Sequence, residues 1–325
     1  AGSAVATTRQ DARLAALDEA AERILLASRP ANTARAFEGD WQLWERFCAE
    51  QGFEPATVSA GLFIAFVTWL ANPTEGSAAR APASIERHLA GVLDGLRRRK
   101  CDTPRGITSG ARKVIDRYRR QLVRDGHPTG RGPATALTIP NMRRLSQALP
   151  DTIVGVRDRA IVLLGFAIAG RRSEVAALHV SDITRHPQGV RVAVRDSKTG
   201  QRAAVVRPGS NTYTCPVTAW EAWTTAAGIA DGPAFRRIDR FGKVQTGGLS
   251  GHSIGRIVTR AGESVDLAIT GHSLRSGLAT EARRAGHDAK TIANQGGWLP
   301  NSTVLYGYMQ TVDEWAESAT EGLGL

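Results

Sequence analysis

The sequence predicts a mainly α-helical protein of two domains, the first all-helical and the second mostly helical with a small antiparallel sheet. Three observations carry that expectation. Apolar residues recur at three- and four-residue steps through most of the chain, which is helical spacing. One stretch, GVRVAVRDSKTGQRAAVV at 189–206, alternates instead with the period of two that a half-buried strand needs. At 325 residues the chain also exceeds what one compact core usually holds.

Taken in order, residues 1–8 (AGSAVATT) are small and polar and are expected to form a disordered arm. A first helix from residue 9 to about 29 places Leu14, Leu17, Ala21, Ile24 and Leu25 at helical intervals. A second, capped by Asn32 or Thr33, carries Phe37, Trp41, Trp44 and Phe47 and ends near Gly52. Its aromatic stripe is read as core. A third spans about 59–70, a loop rich in small residues covers 72–83, Ser84 opens a fourth that runs to Arg99, and a fifth covers 109–124. HPTGRGPATA at 127–136 has no apolar periodicity and reads as a linker between domains at 9–126 and 137–325. Beyond it, helices are expected near 139–149, 151–169 and 171–178. Two strands follow within 189–206, turning at Lys198 to Gly200, and then helices near 216–226, 250–262, 272–285, 288–295 and 301–307. The tail from about 311 to 325 is amphipathic through Trp315, Leu323 and Leu325.

The net charge of +11 points to a polyanionic partner, because clustered Lys and Arg gain affinity by displacing counterions from phosphates. The charge is local. Residues 97–131 hold twelve Lys and Arg against three Asp and Glu, whereas residues 1–96 hold eight against twelve. RRRK at 97–100 closes one helix and RYRRQL at 117–122 lies on the next, where Arg97, Arg98, Arg99, Arg119 and Arg120 would contact phosphates. The three cysteines, Cys48, Cys101 and Cys215, are isolated and suit a reduced, intracellular setting. No apolar run spans a bilayer and no signal peptide opens the chain, so a cytoplasmic protein without membrane contact is expected.

Two strings concentrate polar chemistry. In GFAIAGRRSEVAALHVSDI at 165–183, Arg171, Arg172 and Glu174 sit among apolar helix residues, where charge is costly unless paired or bound to a ligand. On spacing alone Arg171 and Glu174 make a structural ion pair. In GHSLRSGLATEARRAGHDAKTIANQGGW at 271–298, His272 and Arg275 sit one turn apart at a helix start. Guanidinium forks of this kind suit an anionic ligand whose oxygens they can bind in pairs. No paired carboxylates or His/Cys clusters have metal-ligand spacing, and no cofactor is expected.

The first string resembles the R-x-S-E-L box of the tyrosine recombinases, also called the phage integrase family, and the second its H-x-x-R box. The order Arg171, Lys198, His272, Arg275, Trp298, Tyr308 follows the family's order. The resemblance implies that Arg171 and Arg275 are the catalytic arginines, with Glu174 orienting the first and Arg172 in a variable position. It also implies that Lys198 protonates the departing 5′ oxygen, that Trp298 donates to the phosphate, and that His272 is a base or phosphate ligand. Tyr306 and Tyr308 flank Gly307; the family's usual spacing falls between them, and YMQTVDEW favours Tyr308 as nucleophile with Tyr306 as fallback. PASIERHLAGVLDGLRRR at 82–99 resembles a core-binding helix of the Cre-like members, which would turn Ser84, Arg87 and His88 to DNA, with Arg87 the candidate for guanine readout. LSGHSIGRIVTR at 249–260 resembles the catalytic domain's groove-reading helix, with His252 and Arg256 as contacts.

The family further implies a C-shaped clamp on double-stranded DNA, an inverted-repeat target, a homotetrameric synapse, a 3′-phosphotyrosine intermediate, no ATP, and a last helix exchanged between protomers. A type IB topoisomerase or a telomere resolvase would share the chemistry. A sequence-specific DNA-binding protein without catalysis would use the same arginines only to grip phosphate.

Overall fold

The computed structural model describes residues 2–72, 78–130, 132, 134–195, 200–310, 318 and 320. Lys198 lies outside the described residues, as does the expected exchange helix at 311–325 apart from Ser318 and Thr320. The chain divides into two compact units, residues 1–132 and 133–325.

The N-terminal unit is built from α1 (Gly2–Ala27), α2 (Ala31–Gln51), α3 (Ala60–Ala71), α4 (Pro82–Arg98) and α5 (Ser109–Arg124). The expected arm at 1–8 is instead part of α1 from Gly2 onward. No proline interrupts this stretch, and the first helix extends back to Gly2. α2 also starts earlier than Asn32 or Thr33 would have capped it, with Pro30 in the cap position. The core gathers where α2 meets α4 and α3 meets α5. Trp44 is fully buried, stacks on Phe63 at 5.5 Å between ring centres, meets Phe66 edge-on at 5.1 Å, and donates its indole N–H to the Pro55 carbonyl at 2.9 Å. The aromatic stripe of α2 is therefore core. A side-chain carbon at Gly95 would stand 2.2 Å from the Trp41 ring, so only glycine lets α4 approach α2 this closely. By contrast Leu14, Leu17, Ile24 and Leu25 of α1 are exposed.

The C-terminal unit opens with α6 (Ile139–Ala148), α7 (Ile153–Ala167) and α8 (Arg172–Ala177). A three-stranded antiparallel sheet follows in the order β1 (Ile183–His186), β2 (Gly189–Val194) and β3 (Arg202–Val206). Then come α9 (Pro216–Ala227), a second hairpin of β4 (Arg236–Ile238) and β5 (Val244–Gly248), α10 (Gly251–Glu263), α11 (Gly271–Arg284), α12 (Ala289–Gly296) and α13 (Thr303–Tyr308). The alternating stretch at 189–206 forms β2 and β3, pairing Val190 with Val206 and Val192 with Ala204. β1 and the β4/β5 hairpin add strands that the sequence did not announce; they are short, and their burial is mixed or partial. Val190, Val192 and Val194 turn inward with Ala204 and Val206. α7 forms the centre of the unit, with Ala160 to Leu164 fully buried, and packs on α9. Among the described residues no helix is long and apolar enough to cross a membrane.

Candidate active site

The site begins where α7 ends. The Gly170 N–H reaches the Gly165 carbonyl and the Ala169 N–H the Phe166 carbonyl, both at 2.8 Å, closing the helix with a Schellman turn. Its left-handed position is taken by Ala169 (φ +45°), where glycine is usual. A side-chain carbon at Gly170 would lie 2.6 Å from Val175, so glycine is needed for the immediate entry into α8.

Arg171 is the N-cap of α8 and Glu174 its third residue, so the carboxylate folds back to accept from the Arg171 backbone N–H at 3.0 Å while also pairing with the Arg171 guanidinium. Arg202, at the start of β3, donates at 3.0 Å to Glu174 Oε2, the oxygen that also accepts the Arg171 N–H. Burial opposes ionisation of Glu174, but the backbone and side chain of Arg171 and the charge of Arg202 outweigh it and hold the carboxyl below its ordinary value.

Thr270 caps α11, accepting from the His272 N–H and donating its own N–H to Ser273. His272 is left half-exposed at the helix start while Arg275, one turn on, is 1% exposed. Arg275 donates through Nη1 to the carbonyls of Ala169 and, at 3.2 Å, Gly296. Trp298 lies over its guanidinium at 4.2 Å. Gly296 permits that arrangement, since any side-chain carbon there would collide with the indole, and Gly297 supplies the left-handed turn (φ +66°) that ends α12. Burial first, then the neighbouring Arg171, pushes the Arg275 guanidinium down to about 10, still protonated at neutral pH. Among the described residues Arg275 Nη2 and Trp298 Nε1 are buried without a hydrogen-bond partner. Burial, together with the charges of Arg275, Arg172 and Arg171, lowers the His272 imidazole below its ordinary value, so it is neutral at pH 7.

Tyr308 closes α13. Its hydroxyl stands 3.3 Å from His272 Nδ1, its ring 5.3 Å from that of Trp298 and 5.6 Å from the Arg275 guanidinium. Buried Thr280 anchors the backbone there, donating to the Tyr308 carbonyl and accepting from the Gln310 N–H, both at 3.1 Å. Tyr306 is 53% exposed and its hydroxyl reaches Asn301 at 3.4 Å instead. Arg171, Glu174, His272, Arg275, Trp298 and Tyr308 thus form one cluster. Sequence reasoning overlooked Arg202 and Thr280, because their partners lie far away along the chain.

The candidate DNA-reading residues divide. His88 is buried, not turned outward: its Nδ1 meets the buried Asp40 carboxylate at 2.7 Å, which corrects its expected place on the DNA face. The periodicity of α4 already puts residue 88 on the apolar stripe with Ile85, Leu89 and Val92, and Asp40 sits likewise beside Trp41. Arg87 stays half-exposed, but its Nη1 donates to both Asp40 oxygens at 2.6 and 2.7 Å. Ser84 is half-buried. Arg98 pairs with Asp94, Arg99 lies 3.7 Å over the Trp41 ring, and Arg119 pairs with Asp116 and Glu86. Arg97 and Arg120 are exposed with no ion pair among the described residues. Arg120 shares an open hollow on α5 with Arg117, Arg119, Val123 and Arg124; the 117, 120, 124 spacing is a helical stripe that the sequence already displayed. His252 and Arg256 are exposed one turn apart on α10, opposite the buried Ile254, Ile257 and Val258.

The chain matches the model of the phage integrase family over residues 136–314. It is 30% identical over 285 residues to the integrase/recombinase XerD homolog of Selenomonas ruminantium, across 85% of this chain and 80% of that protein. It is 27% identical over 251 residues to the recombinase Cre of Escherichia phage P1, across 72% of each. In fold it is similar to the integrase of transposon Tn1549 in complex with transposon right end DNA (TM-score 0.59, 16% identity, 94% of this chain and 98% of that one). It is also similar to a lambda integrase tetramer bound to a Holliday junction (TM-score 0.55, 16% identity, 90% and 77%).

Proposed function

The chain belongs to the phage integrase family and is a tyrosine recombinase, a site-specific DNA strand transferase; from that premise we propose that Tyr308 is its nucleophile and that Arg171 and Arg275 hold the scissile phosphate. The observation that carries this reading is the 3.3 Å approach of the Tyr308 hydroxyl to His272 Nδ1, beside a buried guanidinium. A neutral imidazole can take the phenol proton, which a tyrosine with an ordinary value near 10 does not release unaided at pH 7. The Tyr308 oxygen then bonds to phosphorus and the bond to the 5′ oxygen breaks, leaving a 3′-phosphotyrosine and a free 5′ hydroxyl. Lys198 is assigned the proton delivered to that leaving oxygen, on the resemblance alone. Attack by a 5′ hydroxyl from another strand reverses the step without ATP.

Two buried donors support the phosphate assignment. Arg275 Nη2 and Trp298 Nε1 lack partners among the described residues, and buried donors go unpaired at a cost that a phosphate oxygen would remove. Because its neighbours' fixed charges act in a site partly shielded from water, each guanidinium stabilises the developing charge more than it would in bulk solvent. The DNA partner is read as a duplex with an inverted-repeat target and the working assembly as a homotetramer. The lambda integrase structure of similar fold is such a tetramer on a Holliday junction. Arg97, Arg117, Arg120 and Arg124 are the proposed phosphate contacts of the N-terminal unit, and His252 and Arg256 those of α10.

The test starts from DNA recovered by Tyr308→Phe out of a random duplex pool. A duplex of that sequence, nicked near the cleavage point so that the short product diffuses away, should trap a covalent adduct with the unaltered protein and with Tyr306→Phe. Tyr308→Phe should bind and form none. An adduct that survives in Tyr308→Phe and disappears in Tyr306→Phe would reverse the assignment.

A further inference from the structure

Resting on the assignment of Arg171 and Arg275 to the phosphate, we propose that Arg202 is the positioning residue that fixes both of them. Arg202 has a buried side chain and makes three directed contacts: Nη2 donates to the Ile168 carbonyl at 2.9 Å and to Glu174 at 3.0 Å, and Nη1 donates to the Gln295 carbonyl at 2.7 Å. The carbonyls it holds adjoin those that Arg275 holds. Arg202 takes Ile168 and Gln295, and Arg275 takes Ala169 and Gly296. Two guanidiniums therefore bridge the same pair of backbone segments, one residue apart on each side. The Gln295 side chain adds a third link, donating to the Ala167 carbonyl at 2.7 Å and the Val205 carbonyl at 3.1 Å.

The consequence for Arg275 is geometric. Its acceptors sit on a left-handed, non-glycine turn at Ala169 and on the last residue of α12, neither of which a regular helical ladder holds in place. Arg202 holds them through the adjacent carbonyls. The consequence for Arg171 passes through Glu174, whose two oxygens are shared between the two arginines. Removing Arg202 would take one donor from Glu174 Oε2 and, because the charge of Arg202 favours the ionised carboxylate, raise its tendency to protonate. A planar fork reaching three acceptors in three segments is a role lysine cannot fill.

The test compares Arg202→Met, Arg202→Lys, Glu174→Gln and the Arg202→Met/Glu174→Gln double variant in the full chain. The readouts are the single-turnover rate of covalent attachment to the nicked target duplex, affinity for the intact duplex, and pH dependence. Arg202→Met should cleave about 100-fold more slowly, the scale on which a misplaced catalytic group acts, while binding duplex within about threefold of the unaltered protein. Its rate should fall further toward acid pH than that of the unaltered protein. In the double variant the losses should be far from multiplicative, since both changes act partly through one carboxylate. Arg202→Lys should recover only part of the rate. Multiplicative losses with an unchanged pH profile, or a normal rate in Arg202→Met, would overturn the proposal. If Arg202→Met melts below the assay temperature, Arg202→Lys is judged by the same criteria. Normal cleavage by both Arg171→Lys and Arg275→Lys would instead overturn the phosphate assignment on which the proposal rests.

Discussion

Arginine serves the two units differently. In the C-terminal unit Arg202 and Arg275 are buried and tied to backbone carbonyls, and Arg171 is locked to a carboxylate at its own helix start. In the N-terminal unit Arg97, Arg117, Arg120 and Arg124 project from the ends and outer face of α4 and α5 into solvent. A fixed guanidinium has met its ordering and desolvation costs during folding, so it can act on charge that appears only in the transition state. A solvated one keeps its freedom and gains affinity by releasing counterions, without discriminating ground state from transition state. With the roles proposed above, the same side chain would support catalysis in one unit and attachment in the other.

The largest expected effect tests the fixed class. Arg275→Lys and Arg171→Lys should each slow covalent attachment by about 10²–10³-fold, as loss of a preorganised donor does, with duplex affinity changed far less. Single-turnover cleavage and a binding titration on the same preparations decide it, alongside a melting curve because Arg275 is buried. Proportionate losses of binding and cleavage would place these arginines in the same class as those of α5.

How much of this was legible in the sequence follows the same division. Arg171, Glu174, His272, Arg275, Trp298 and Tyr308 are recognisable because each motif is local, and a helix start such as Thr270 to Ser273 is written in four consecutive residues. Arg202 was not legible, since its acceptors at Ile168, Glu174 and Gln295 come together only once α7, α8, β3 and α12 have packed. His88 is a different case: its place on the apolar stripe of α4 was visible, and the resemblance to a DNA-reading helix overrode it. The buried Asp40 that holds it sits on the matching stripe of α2, against Gly91, where a side-chain carbon would lie 2.4 Å from the carboxylate. Among the elements, the long periodic helices were clear. β1 and the β4/β5 hairpin were missed because three to five residues of mixed burial carry too little alternation to register.

A second, smaller effect tests the solvated class. If Arg97, Arg120 and Arg124 each neutralise one phosphate, replacing any one by Ala should reduce the slope of log affinity against log salt by about 0.9. At low salt each loss weakens binding to random and target duplex alike. Arg98→Ala and Arg119→Ala, whose guanidiniums are already paired to Asp94 and to Asp116 and Glu86, should change the slope less. Equal slopes across all five variants would erase the distinction between paired and unpaired surface arginines.

The smallest effect concerns Arg172, which belongs to neither class cleanly. It is exposed, yet its side chain lies along Gly255 of α10 and Gly271 at the start of α11, and its charge is among those that lower His272. Burial is the main cause of that lowering, followed by Arg275, Arg172 and Arg171. Arg172→Ala removes one positive neighbour, so the imidazolium becomes easier to form and the His272 value moves up toward 6.5. Solvent screens an exposed charge, so this effect is the smallest of the three. If neutral His272 accepts the Tyr308 proton, attachment is lost as pH falls through that value, and the acid limb in Arg172→Ala must lie at higher pH than in the unaltered protein. If the imidazolium were the active form and donated to the phosphate, attachment would be lost as pH rises through the value. The same substitution would then extend activity to higher pH. Attachment rates at subsaturating DNA report the unbound protein's groups and so separate the two signs. An acid limb that moves upward assigns His272 the proton of Tyr308, and an alkaline limb that moves upward assigns it to the phosphate.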